Sequence, residues 1–389
     1  MTTIINYGNI TWPELAEIPS ETPIILPLGD YRDYDQISEE LGNPPILIIL
    51  PSLPFGWKNS LIEVKEVTFT RLIRNLLQSL REDGFHNLHV LSPIELSKLE
   101  EKNIISSKLL IYTQYNNIIT SSLDVKKVLL LPTGHVEQHS YHLPMITDTM
   151  IIDSISRDVV QAIPDLCEML PVMPYGVSTH RSSFLGTINL GGRVYEDFWL
   201  EVLTKLVKIG FDRFYFLNGH GGNSSFLVNI AKYIGEKFPG IFCATSWLYL
   251  SGPDGVNSLE KNRTSPIGGM GHAGELETSL MLHINKNLVH MDRVHDDMDF
   301  ISTPSYYMDW IEGGALIANP PWYDDSKYGA YGAGSMGTSE KGSIWLRDAV
   351  KEKVSHILEI NQQQNMREER RKSGYGEWAS QKYIKDKNK

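Results

Sequence analysis

Lys127-Val128-Leu129-Leu130-Leu131-Pro132-Thr133-Gly134 is an apolar run that ends on Leu-Pro and a glycine, and Leu26-Pro27-Leu28-Gly29 ends the same way a hundred residues earlier. The likeness continues downstream. Leu50-Pro51-Ser52-Leu53-Pro54-Phe55-Gly56 matches Leu170-Pro171-Val172-Met173-Pro174-Tyr175-Gly176. Each copy then enters an amphipathic segment, Val67 to Asp83 and Val194 to Ile209, and closes on Gly-Phe and an apolar stretch, Gly84 to Leu91 and Gly210 to Leu217. Agreement of order and punctuation over several blocks indicates an internal duplication. Short apolar strands alternating with longer helical-period segments predict βαβ units, hence an α/β fold with a mostly parallel sheet sandwiched by helices, preceded by a second, degenerate α/β half.

The copies differ in their polar side chains. Counting from the shared Leu-Pro, Glu137 corresponds to Arg32 and His139 to Tyr34; counting from the second Gly-Phe, His220 corresponds to Ile94. The expected organisation is therefore a degenerate domain over 1–120 without ligand-type residues, a domain carrying the chemistry over 125–363, and a mobile basic tail over 364–389. The boundary is expected within Tyr115 to Asp124, a polar stretch ahead of the strand Lys127 to Leu131. Residues Arg367 to Lys389 hold eight Lys/Arg against four Asp/Glu and little apolar periodicity, hence the tail.

A formal net charge of -11 over 389 residues argues against a nucleic-acid surface and for a small-molecule or short-peptide substrate. No basic segment followed by an apolar run opens the chain, and stretches such as Pro45 to Leu53 are too short to span a bilayer. A cytoplasmic location and no membrane partner are the expectations. Two cysteines, Cys167 and Cys243, do not form a disulfide framework and read as free thiols in a reducing compartment.

Three clusters carry candidate chemistry. The first is Gly134-His135-Val136-Glu137-Gln138-His139-Ser140-Tyr141-His142-Leu143-Pro144, then Thr147-Asp148. It follows a strand, so it falls at the strand's C-terminal end, where open α/β sheets bind ligands. Glu137 and His139, two apart, point the same way in extended chain. Asp148 opens the next helix, expected from Asp148 to Ile163; alone it reads equally well as a helix N-cap. The second cluster is Leu217-Asn218-Gly219-His220-Gly221-Gly222-Asn223, whose glycines admit close approach of a ligand. It lacks the Lys-Ser/Thr pair and the G-x-G-x-x-G spacing of nucleotide loops. The third is Gly271-His272-Ala273-Gly274-Glu275-Leu276-Glu277-Thr278-Ser279-Leu280. Its carboxylates suit a helix N-terminus electrostatically, or they offer a last metal ligand and a proton-transfer group. Imidazoles with carboxylates form the donor set for Zn2+, Mn2+ or Fe2+.

Together these blocks resemble the creatininase family, whose pattern is Gly-x-x-Glu-x-His-x-x-His-Leu-Pro-x-x-Thr-Asp, Asn-Gly-His and His-Ala-Gly-Glu-x-Glu-Thr-Ser. The resemblance runs from about Val128 to about Ile360 and includes Gly176 to His180 and Gly186-Thr187. It implies a creatininase-like hydrolase with two divalent ions, for which Glu137, His139, Asp148 and His220 resemble the ligands, Asp148 bridging. In creatininase a further ligand is a glutamate two residues after the Asn-Gly-His histidine; here that position is Gly222. A glutamate of the third block can supply the missing oxygen, with Glu275 favoured over Glu277. His272 is assigned to protonating the leaving nitrogen, with Glu275 and Glu277 as further catalytic candidates. Ser178 and His180 are candidates for substrate contact or for loop hydrogen bonding.

The expected activity is hydrolysis of an amide, cyclic amide or formamide C–N bond by metal-activated water; the alternative is a non-catalytic, metal-stabilised binding or complex-forming protein. Creatininase has Trp-Asp shortly before its third-block histidine, where this chain has Gly268-Gly269-Met270-Gly271. Creatinine is thus not the expected substrate, and a flexible loop admitting a larger one is. Tyr306 to Trp310 and Trp322-Tyr323 either line a pocket or pack. Family members assemble as homo-oligomers; with the extra N-terminal half occupying a surface, an assembly smaller than a hexamer is expected.

Overall fold

The computed structural model describes residues 1–31, 33–93, 123–180 and 184–376, together with the backbone of 104–106. Arg32, Ile94 and most of the expected boundary segment lie outside the described residues.

Two parallel sheets form. The first contains β1 (Thr3–Asn6), β2 (Ile24–Pro27), β3 (Ile46–Ile49), β4 (Leu88–Ser92) and β5 (Ile104–Ser106), in the order β1-β3-β2-β4-β5. The second contains β6 (Val128–Thr133), β7 (Cys167–Met169), β8 (Arg213–Asn218) and β9 (Phe242–Thr245), in the order β7-β6-β8-β9. Apart from the added edge strand β1, the order is the same. Every residue of β6 and β8 is buried, as expected of parallel strands covered on both faces.

The shared punctuation makes shared hydrogen bonds. Gly29 N–H donates to Leu53 O (2.7 Å) and Leu53 N–H to Pro27 O (3.0 Å); Gly134 N–H donates to Met173 O (2.9 Å) and Met173 N–H to Pro132 O (3.0 Å). The amphipathic segments are the helices α3 (Glu66–Glu82) and α5 (Gly192–Ile209), after α1 (Trp12–Ala16), α2 (Tyr34–Glu40) and α4 (Thr147–Ala162). Gly84 and Gly210, with φ of 93° and 123°, end α3 and α5 in a left-handed conformation that favours glycine. The next N–H of each, Phe85 and Phe211, turns back to Leu80 O (3.0 Å) and Leu206 O (3.1 Å).

α3 and α5 pack in one continuous core with the facing sides of both sheets, including Leu26, Leu28, Leu129, Leu131, Phe214 and Phe216. Alternate residues of β6 and β8 (Val128, Leu130, Tyr215, Leu217) enter a second core with α4, α8 (Glu275–Asn285) and α9 (Ser339–Lys372). The remaining helices are α6 (Ser224–Lys237) and α7 (Pro253–Asn262). Cys167 and Cys243 are both free. Among the described residues no helix is long and apolar enough to cross a membrane.

The tail expected from residue 364 is corrected in its first part. α9 continues to Lys372, and Gln364 is completely buried, its amide donating to Gly240 O (2.7 Å) and Asp212 Oδ2 (2.9 Å). Helical winding, not composition, put that one polar face inward. Residues 377–389 lie outside the described residues.

The chain's first residues run beneath the first cluster. Met145 N–H donates to Ile10 O and Ile146 N–H to Gly8 O, both at 2.9 Å, while Tyr7 Oη donates to Gly186 O (2.8 Å). Trp12 packs edge-on against Tyr141, with ring centroids 5.0 Å apart.

Candidate metal centre

The three clusters meet at the C-terminal ends of β6 and β8. Asp148 is the second residue of α4 and no N-cap; its carboxylate lies between two imidazoles, Oδ1 at 3.1 Å from His139 Nε2 and Oδ2 at 3.0 Å from His220 Nδ1. Tyr249 Oη stands behind it, donating to Gly219 O (2.7 Å) and 3.5 Å from Asp148 Oδ1. Glu137 Oε2 is 3.2 Å from His220 Nδ1 and 3.7 Å from His272 Nδ1. Glu277 Oε2 accepts Ala273 N–H (2.7 Å) and lies 3.6 Å from His139 Nε2. All of these residues are 5% exposed or less, so the charges face each other rather than water.

Electrostatics follow from that crowding. Burial opposes a charged His139 ring, but Asp148, Glu277 and Glu137 outweigh it and raise its pKa to about 9. His220 is raised in the same way by Glu137 and Asp148 against its burial. Burial pushes Glu277 up to about 7; His139 opposes the shift and the Asp148 and Glu137 charges add to it. Burial, reinforced by His139, lowers His272 to about 3.

The donor set fits a divalent cation. Three buried carboxylates within one cluster repel each other unless a positive charge sits among them. Glu137 Oε2 and Asp148 Oδ2 are buried and accept no hydrogen bond among the described residues. Glu137, His139 and His272, and again His139, Asp148 and Glu277, place one ligand atom each within 4.8 Å of one another.

Glu275, expected as the last ligand, points elsewhere. It accepts Thr264 N–H (2.9 Å) and Ser265 N–H (2.8 Å) and pairs with Lys341. Two residues apart on a helix is about 200° of rotation, so only one of the two glutamates can face the cluster, and it is Glu277. A side chain at Gly222 is excluded too, since a Cβ there would collide with Val177 O and the His220 ring.

Ser178 and His180 hold Glu137. Ser178 Oγ–H (2.9 Å) and His180 Nε2 (3.1 Å) both meet Glu137 Oε1, which leaves Oε2 toward the cluster. His180 in turn stacks on Trp322 (centroids 4.2 Å, interplanar 17°), which makes a T-shaped contact with His272, centroids 4.7 Å apart. Of the aromatic segments, Trp322 thus adjoins the site, Trp310 packs on Trp247 (5.8 Å) and Tyr323 is exposed. The loop expected to be flexible is tied down, because Asp309 Oδ2 accepts Gly268 N–H (2.8 Å) and Met270 N–H (3.2 Å). Gly271 is small because Tyr331 O and Met308 O occupy the space of a side chain.

Two buried histidines of this region are not singled out from sequence: His142, whose Nε2 meets Thr278 Oγ1 (2.9 Å), and His135, stacked on His220 with centroids 4.2 Å apart. The signal was present. His135 stands two residues before Glu137, so the alternation that paired Glu137 with His139 extends back to it.

A family model described as creatinine amidohydrolase matches residues 116–357. The chain belongs to the creatininase family. It is a hydrolase by that membership, and the family match covers the site-bearing half. Creatinine amidohydrolase of Pseudomonas putida is 30% identical over 185 residues, 43% of this chain and 68% of that protein. The mycofactocin precursor peptide peptidase of Mycobacterium ulcerans (strain Agy99) is 33% identical over 173 residues, 43% of this chain and 62% of that protein. A solved Bacteroides fragilis structure named for creatinine amidohydrolase aligns with a TM-score of 0.52 at 22% identity, covering 61% of this chain and 90% of that one, a likeness of fold.

Proposed function

We propose that this creatininase-family chain hydrolyses the C–N bond of an amide, cyclic amide or formamide, using two divalent ions (Zn2+, Mn2+ or Fe2+) held by Glu137, His139, Asp148, His220 and Glu277. The observation that carries the reading is the set of three buried carboxylates facing histidine nitrogens, with Glu137 Oε2 and Asp148 Oδ2 accepting no hydrogen bond. When bound, such ions supply Lewis-acid activation of water and of the scissile carbonyl.

The chain's own residues supply the rest. His139 Nδ1–H on Glu137 O (3.0 Å) and His220 Nε2–H on Val177 O (3.1 Å) fix each ring so that its other nitrogen faces Asp148. Ser178 and His180 orient Glu137 through Oε1. His272 donates Nε2–H to Gln138 O (2.8 Å), which leaves Nδ1 free on the cluster side. Burial and the His139 charge disfavour a protonated His272 ring, so the ring rests neutral and gives up readily any proton that reaches Nδ1, as protonation of a departing amine requires. Trp322 against His180 and His272 shields these transfers from bulk water.

A short-peptide substrate is the second reading, supported by the 33% identity to the mycofactocin precursor peptide peptidase. The N-terminal half, 1–120, is read as a degenerate copy whose cover over the 125–363 domain limits self-association to less than a hexamer. Metal-free protein reloaded with Mn2+, Zn2+ or Fe2+ and screened for amine release from cyclic amides, formamides and short peptides tests the activity. Stoichiometric metal with no turnover on any of them would leave the non-catalytic binding alternative.

A further inference from the structure

Besides His180, which meets Glu137 Oε1, four histidines surround Glu137 and Asp148, and their outer hydrogen bonds sort them into two kinds. His139, His220 and His272 each give one ring nitrogen to a backbone carbonyl, of Glu137 (3.0 Å), Val177 (3.1 Å) and Gln138 (2.8 Å). A carbonyl oxygen only accepts, so that nitrogen carries the proton and the other, in the neutral ring, offers a lone pair to a metal.

His135 is wired in the opposite sense. Its Nδ1 accepts Gly176 N–H at 2.9 Å. A backbone N–H only donates, so Nδ1 is bare and the neutral ring keeps its proton on Nε2. That Nε2 is buried with no partner among the described residues, on a ring that is completely buried and stacked on His220. One ring nitrogen of His135 lies within 4.8 Å of a Glu137 carboxylate oxygen and a His220 nitrogen. Distance alone would make His135 a third ligand there; the fixed tautomer denies it the lone pair.

We propose that His135 is a hydrogen-bond donor and not a metal ligand, and that its Nε2–H serves an anionic oxygen of a molecule bound beside Glu137 and His220. A buried N–H without a protein acceptor is costly, so an oxygen that a bound molecule sets against it is stabilised. The fitting chemistry is a carboxylate or the oxyanion of an attacked carbonyl, which a preorganised donor in a water-poor site stabilises. This rests on the hydrolase reading above.

Long-range 1H–15N NMR of the histidine rings in zinc-loaded protein tests it, with His135 assigned by the signal lost in His135→Gln. The expected spectrum has the proton on Nε2 and none on Nδ1, with and without zinc; a proton on Nδ1 with Nε2 shifted by zinc would make His135 a ligand and overturn the proposal. Formate is the second probe. His135→Phe, which keeps a stacked ring without the N–H, should bind zinc at the wild-type stoichiometry and formate about tenfold or more weakly, with His135→Gln in between. Equal formate affinity in wild type and His135→Phe refutes the donor role alone. Absence of zinc binding in the wild type refutes the hydrolase reading as well.

Discussion

After β2 and after β6 the chain makes the same turn, with glycine bonded to the neighbouring loop in the same register, and then the two halves part. α4 starts 13 residues after Gly134, whereas α2 starts five residues after Gly29. The loop that carries Glu137 and His139 has no room in the first half. Asp35 occupies in α2 the place that Asp148 holds in α4, second residue of the helix, yet Asp35 is exposed and Asp148 buried. The outer layer differs as well. α4, α8 and α9 cover the second sheet, while the outer core of the first is small, built around Ile25, Ile37, Leu47 and Leu91. Among the described residues, the same strand order thus accompanies a candidate metal centre in one half and no such cluster in the other, and the two halves differ in loop length and outer cover.

The sharpest way to break that comparison is to treat the two aspartates alike. Asp148→Asn should abolish stoichiometric metal, measured by elemental analysis of purified protein, because the carboxylate between two imidazoles is gone; retention of metal would refute the site. pH comes next. In metal-free protein the His139 pKa is raised from 6.5 to about 9, so its contribution is complete below pH 6.5 and is lost as pH rises through 9. His272 and His142, both lowered to about 3, work in the other direction: stability rises with pH between 3 and 6.5. Melting temperature in chelator should therefore peak near pH 6.5 and fall toward pH 9, a loss on the order of 3 kcal/mol from His139 alone. Bound metal takes the place of that proton and should flatten the alkaline arm.

Glu275→Gln is a smaller perturbation that separates structure from metal. It weakens the bonds to Thr264, Ser265 and Lys341, and chemical denaturation should show a loss of about 1–3 kcal/mol with metal content unchanged. Glu277→Gln should show the reverse, weaker metal binding with little loss of metal-free stability. Asp35→Asn is the smallest, within about 0.5 kcal/mol and without effect on metal, as befits an exposed helix position.

Much of this was legible in residue order. Leu-Pro with glycine and Gly-Phe are punctuation with a backbone cause, so the strands and the helices α3 and α5 could be read from them, while the meeting of the third block with the other two was implied by the resemblance to the creatininase pattern. Which of Glu275 and Glu277 faces inward could not, because the answer is the rotation of α8 against β6 and β8, a tertiary fact. The glycines at 268–271 invited a reading of looseness; Asp309, forty residues away, ties them instead. Gln364 looked like tail composition and proved to be an anchor.

Met145 and Ile146, at the end of the ligand loop, take their backbone acceptors from Ile10 and Gly8. The acceptors are made some 135 residues before the donors, and at ~5–20 residues per second they wait roughly 7 to 27 seconds for them on the ribosome. Although β1 can pair with β3 once residues 46–49 are made, the carbonyls of Gly8 and Ile10 gain their partners, and the ligand loop its support, only after Met145 and Ile146 have been added. Assembly of the centre is therefore a late event that spans both halves, even though every proposed ligand belongs to one of them.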